Sequence, residues 1–119
     1  MGVLKECDFD KLRSFMTEDH LFFLNGWQCA GEDDLRKCWE GWWKLVPDSQ
    51  SQIIEVMESG DKVITHLEVS GDKVVKNNKV VMGQWKFHVA QIYYFRKGKI
   101  KILKEFCDVS SLNKVVNSI

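Results

Sequence analysis

The chain has 119 residues, 45% of them hydrophobic and 29% charged, and its seventeen basic and seventeen acidic side chains cancel to a formal net charge of zero. That is the length of one domain, 1–119, with enough chain to bury a single core unaided by crosslinks. Five Trp and seven Phe exclude a solvated, disordered chain, no apolar run reaches the roughly 18 residues of a membrane helix, and Lys5 to Asp10 is too charged for the apolar stretch of a secretory leader.

Apolar residues at Phe9, Leu12, Phe15 and Met16 recur at helical spacing, and Asp8 is placed to cap that helix. His20 to Leu24 is a short aromatic strand ending at an Asn25-Gly26 turn. Gly31 and the acids Glu32, Asp33 and Asp34 open a second helix, where negative charge suits the positive end of the helix dipole. Its stripe is Leu35, Cys38, Trp39, Trp42 and Leu45, Trp43 falls off the stripe, and Pro47 stops it.

Everything after Pro47 reads as strands. They run over Ser51–Glu58, over Val63–Val69 up to a Gly71-Asp72 turn, over Lys79–Phe95 with a bend near Gly83, and over Ile100–Asp108 after a tight Arg96–Lys99 turn. In the second of these, Val63, Leu67 and Val69 share one face, and His66 and Glu68 the other. Helices first and hairpin-linked strands after give an α+β domain: a curved antiparallel sheet packed on N-terminal helices, with a pocket between them.

Charge is uneven along the chain. Residues 1–72 hold fifteen acids against seven Lys and Arg, whereas 73–104 hold nine Lys and Arg and no acid. Lys on the solvated face and turns of strands accounts for this, and such Lys also blunt edge pairing. Nucleic-acid binding through this stretch, with Trp85, Tyr94 and Phe95 as stacking surfaces, is the less favoured reading, because no RNA-binding motif accompanies it. Cys7, Cys29, Cys38 and Cys107 form no C-x-x-C pair and read as free buried thiols in a reducing, cytoplasmic setting; no metal site is expected. Phosphate-cradling, dinucleotide, nucleophile-elbow and zinc-protease motifs do not occur, so no cofactor is expected.

Three segments carry a resemblance. Phe15-Met16-Thr17-Glu18-Asp19-His20-Leu21-Phe22-Phe23, the Trp-rich helix from Gly31 to Asp48, and Ile92-Tyr93-Tyr94-Phe95-Arg96-Lys97-Gly98-Lys99-Ile100 occur in an order that resembles the SnoaL-like polyketide cyclase and ketosteroid-isomerase-like group of the nuclear transport factor 2-like superfamily. The resemblance covers about residues 8–112. It implies a cone-shaped fold with the Trp-bearing helix roofing a pocket, a common homodimer through the outer sheet face, and an acid near the end of the last strand, here Glu105. Two departures stand out. The family's long first helix is missing or truncated, and Leu24 and Gln91 stand where ketosteroid isomerases carry their two Asp, so steroid isomerisation is not expected.

Glu105 is thus the general acid/base that the resemblance implies; Gln91, an amide on the apolar strand face of Phe87, Val89, Tyr93 and Phe95, is either a ligand-orienting group or a structural one bonded to neighbouring backbone; His20, Phe22, Leu24, Trp39, Phe87, Tyr93, Leu103 and Cys107 are the expected pocket residues. Strict alternation groups Ile100, Ile102 and Phe106 on the apolar face and puts Leu103, Glu105 and Cys107 on the other, so Glu105 faces either the pocket or solvent beside Lys101 and Lys104. His66 with Glu68 could form a dyad, although a solvated or dimer-facing strand position is the plainer reading of His66 and His88. The expected function is cofactor-independent binding of a small apolar or aromatic molecule, with cyclase- or isomerase-type proton transfer; the alternative is a non-catalytic ligand-binding or dimeric interaction module. Ile100, Ile102, Tyr94 and His88 are the expected dimer face.

Overall fold

A computed structural model describes residues 9–29 and 32–118. The elements are α1 (Phe9–Ser14), β1 (Met16–Leu24), β2 (Trp27–Gln28), α2 (Glu32–Leu45), β3 (Gln50–Ser59), β4 (Lys62–Lys76), β5 (Lys79–Arg96), β6 (Lys99–Cys107) and α3 (Ser110–Val116). The expected Asp8 cap, the Gly31 helix start, Cys7 and the question of a helix before Asp8 lie outside the described residues. The six strands form one sheet in the order β2-β1-β6-β5-β4-β3. Every neighbouring pair is antiparallel except β1 with β6, which is parallel. The chain belongs to the α+β class, and α2 and α3 pack against the strands that curve beneath them.

The local chemistry explains most of the boundaries. Leu35, Trp39, Trp42 and Leu45 all turn to the sheet from α2, and the helix ends two residues before Pro47. The β4–β5 hairpin turns at Asn77-Asn78 and the β5–β6 hairpin at Lys97-Gly98, with both residues of each pair at positive φ. That backbone matches the right-handed twist of the flanking strands.

Three expectations are corrected. Gly71-Asp72 is not a turn: β4 runs on to Lys76, with a register shift between Gly71 and Lys73. The bare backbone at Gly71 carries the Trp85 ring, and a Cβ there would lie 2.4 Å from Trp85 Cζ2. The segment after β6 is a helix, α3, whose Leu112 and Val115 close one end of the core; Val115 sits against Gly83 of β5. The first helix stops at Ser14, and Met16, buried at 3% exposure, already belongs to β1. Between Met16 and Leu21 the β1–β6 register shifts. There Asp19 bonds Lys101 and stands beside Arg96, so its carboxyl is lowered to about 2, chiefly by the Lys101 hydrogen bond.

A fourth irregularity decides the geometry of the site. Phe95 pairs with Ile100 but Tyr94 pairs with Ile102, so β6 carries one extra residue at Lys101. The bulge resets the alternation. Ile100 points into the core before it; Leu103, Glu105 and Cys107 share the face of Tyr93, Gln91 and Val89 after it. Ile100 is 7% exposed and therefore cannot belong to an outer dimer face, whereas Phe106, at 45%, looks outward.

The interior divides into two apolar clusters. One holds Val46, Leu67, Val69, Val74, Trp85, Phe87, Val89 and Leu112, with Trp42 edge-on to both Trp85 and Phe87. The other holds Met16, Leu35, Tyr93, Ile100 and Leu103, with Phe22, Trp39 and Phe95 against it. Along β4, β5 and β6 the boundary between them falls at Thr65, Gln91 and Glu105.

Candidate functional site

These three residues form a polar row across the sheet. Thr65 pairs with Gln91 and Gln91 with Glu105 in register, so all three side chains leave the same face at the same level. Thr65 and Gln91 are 6% and 3% exposed. A buried amide without partners costs about 1–3 kcal/mol, and this one is fully engaged. Gln91 Oε1 accepts from Thr65 Oγ1 at 2.9 Å and from Tyr93 Oη at 2.7 Å. Gln91 Nε2 donates to Glu105 Oε1 at 2.6 Å. Thr65 is the member that the sequence reading left out, although it falls on the face already assigned to Val63, Leu67 and Val69.

Withdrawal from water pushes the Glu105 carboxyl above its ordinary value; the Gln91 hydrogen bond opposes this and is outweighed. The surroundings respond in kind. Burial and the nearby Glu105 raise the Tyr93 phenol, and the same two causes raise the Cys107 thiol. Cys29 is raised to about 11, first by burial and then by the neighbouring Cys38 thiol.

A cleft of about 80 Å³ lies beside this row, lined by His20, Leu21, Phe22, Gln28, Cys29 and Leu35. Glu105 is next to the cleft rather than on its lining: Leu24 pairs with Glu105, and Phe22 with Leu103. Thus His20 and Phe22 line the cleft, with His20 Nδ1 3.0 Å from the Thr17 carbonyl. Tyr93, Leu103 and Trp39 pack together in the cluster behind it, and Leu24, 37% exposed, does not line the cleft. Cys107 and Phe87 belong with the other cluster, on the far side of the polar row. The Trp39 indole N–H is buried with no partner among the described residues.

The remaining candidates lie elsewhere. His66 and His88 are on the opposite sheet face, Nε2 to Nδ1 at 2.8 Å, so His66 bonds His88 rather than Glu68, which holds Lys86 at 3.4 Å. Trp85 is 2% exposed and Phe95 packs on a core cluster, which removes two of the three surfaces a nucleic acid would stack on. Cys29 and Cys107 are half-buried free thiols; Cys38, expected to be buried, is exposed. Among the described residues no group of three His, Cys, Asp or Glu is placed to hold a metal ion, and no helix is long and apolar enough to cross a membrane.

Residues 1–102 match the SnoaL-like domain. The chain belongs to that family. Solved structures agree on the fold. AclR from Streptomyces galilaeus superposes with a TM-score of 0.81 at 16% identity, over 99% of this chain and 79% of its own. TerC, co-crystallised with polyporic acid, gives 0.76 at 13% identity, over 98% and 91%. A phenazine biosynthesis-related protein from Pseudomonas aeruginosa gives 0.70 at 20% identity, over 96% and 87%. No curated protein matches the sequence. At these identities the likeness establishes the nuclear transport factor 2-like fold and leaves the chemistry to the residues.

Proposed function

We propose that this SnoaL-like domain binds a small apolar or aromatic molecule without a cofactor, between α2 and the β1–β6 end of the sheet, and moves a proton on it with Glu105. The observation that carries the reading is the 2.6 Å bond from Gln91 to a half-buried carboxyl group whose pKa is raised by its partial burial. A carboxyl whose pKa is raised above the ordinary carboxylate value is a stronger base than a surface Glu and holds its proton to higher pH, which suits proton transfer. Gln91 orients the acid, and the buried Trp39 N–H, without a partner among the described residues, supplies a donor that a ligand oxygen would satisfy. TerC, crystallised with a small molecule, shares the fold and supports the ligand class.

A second reading has its own support. The cleft is small, and Phe22, Trp39, Tyr93 and Leu103 pack against one another, as in a non-catalytic binding or interaction module. Glu105→Gln separates the two. The variant keeps the Gln91 bond and the fold; under the catalytic reading it retains ligand binding and loses turnover, and unchanged turnover would end that reading. For quaternary structure the proposal is a homodimer through the outer face, with Ile102, Tyr94 and His88 but not Ile100. The free thiols support a reducing, cytoplasmic setting.

A further inference from the structure

Gln91 is held on one side by two hydroxyl donors and on the other by an acid, and this asymmetry has a chemical consequence. An amide has one acceptor end and one donor end, and a Gln side chain can rotate to exchange them. Thr65 Oγ1 at 2.9 Å and Tyr93 Oη at 2.7 Å both donate to Oε1, so the NH₂ end is turned to Glu105. Each hydroxyl comes from a rigid strand position: Thr65 directly across from Gln91, and Tyr93 two residues along on the same face.

We propose that Thr65 and Tyr93 are positioning residues that lock the Gln91 amide and thereby fix which oxygen of Glu105 carries its proton. The inference rests on the acid/base reading of Glu105 given above. Of the two oxygens of a neutral carboxyl group, the carbonyl oxygen is the better acceptor. Gln91 Nε2–H occupies Oε1, so the proton resides on Oε2, which has no protein partner among the described residues. The site therefore offers an O–H donor, suited to the carbonyl, enolate or phenolate oxygen of a ligand, and unsuited to an ammonium group. With the lock removed, the amide rotates, its carbonyl end accepts the Glu105 O–H, and the protonated acid is held more tightly.

In the locked state Gln91 lowers the Glu105 pKa, against the larger effect of burial. Thr65→Val and Tyr93→Phe each remove one donor to Oε1, so both shift the Glu105 midpoint upward, and Thr65→Ser, which keeps the hydroxyl, restores it. The titratable groups facing Glu105 are Tyr93 on β5, Cys107 on β6 and Cys29 beyond β2; all three are raised and neutral at pH 7, so they do not titrate in the same window. The experiment is ¹³C-carboxyl NMR on Glu-labelled full chain, with the Glu105 signal assigned by its loss in Glu105→Gln. An upward shift in both variants, with a wild-type midpoint in Thr65→Ser, supports the lock. A raised wild-type midpoint that neither variant moves overturns the lock and leaves the acid/base reading standing. An ordinary wild-type midpoint overturns that reading as well. Should Thr65→Val fail to fold, Tyr93→Phe alone decides, because it removes only an oxygen from a ring that stays packed.

Discussion

Replacing Gly71 by Ala is a sharp test of how the larger core cluster is built, because two effects oppose each other there. Within a strand, Ala is favoured over Gly by roughly 0.5–1 kcal/mol through backbone entropy. Gly71 has no positive φ, so nothing in its backbone resists the change. The obstacle is Trp85: the new Cβ would lie 2.4, 2.6 and 2.8 Å from its Cζ2, Cε2 and Nε1 atoms. Carbon atoms in contact sit at about 3.5–4.0 Å, so the ring must retreat by roughly 1 Å. It has little room to do so. Trp85 is 2% exposed, its N–H donates to the Lys73 carbonyl at 3.2 Å, and its ring is 5.8 Å from both Trp42 and Phe87. Overpacking of this kind costs about 1–3 kcal/mol, which exceeds the entropic gain at all but its lower limit. Urea unfolding followed by tryptophan fluorescence measures the difference, and a fall in melting temperature of about 4 °C per kcal/mol accompanies it. Gly41→Ala is the matched control. It lies inside α2 with nothing within 4 Å of the added carbon, and is expected to stabilise by about 1 kcal/mol. If Gly71→Ala proves as stable as the wild type or more so, Trp85 does not pack tightly on the bare Gly71 backbone of β4.

Two further outcomes are expected. Because burial raises the Glu105 carboxyl in the fold, the folded state holds a proton that the unfolded chain gives up first. Wild-type stability therefore falls as pH rises from the ordinary carboxylate value through the folded midpoint, by about 1.4 kcal/mol for each unit between the two. Glu105→Gln removes that slope, so denaturation profiles of the two proteins should agree in acid and diverge toward neutrality; parallel profiles would contradict the burial of the charge. The outer sheet face exposes Phe106 and carries the His66–His88 pair and Tyr94, flanked by Lys62 and Lys104. Sedimentation at micromolar concentration should give a dimer, and a monomer would remove that interface.

Much of the fold was legible in the sequence because periodicity and turn chemistry are local. The Trp-bearing helix, its stop before Pro47, the Lys97-Gly98 hairpin and the long β5 strand follow from spacing and residue type alone. What escaped depends on contacts distant in sequence. Gly71-Asp72 has turn composition, yet the strand continues because Trp85, fourteen residues on, covers the glycine. The Ser110–Val116 helix is too short for a periodic signal, and its packing against β5 and β4 holds it. The direction of Glu105 could not be read by counting twos, since a bulge at Lys101 reverses the phase between Ile100 and Leu103. Glu105 and Gln91 were identifiable as candidates, from the family resemblance and from an amide on an apolar face respectively. Thr65, Cys29 and Leu35 complete the row and the cleft; periodicity places Leu35 on the helix stripe and Thr65 on the inner strand face, but nothing local marks any of the three as part of a site.

The protonation state of Glu105 tests the account most directly. Isotope-edited infrared spectroscopy of the wild-type chain, with Glu105→Gln subtracted, should show a protonated carboxyl C=O band that persists well above the pH at which surface carboxylates have ionised. A side chain already fully carboxylate at pH 5 would contradict it.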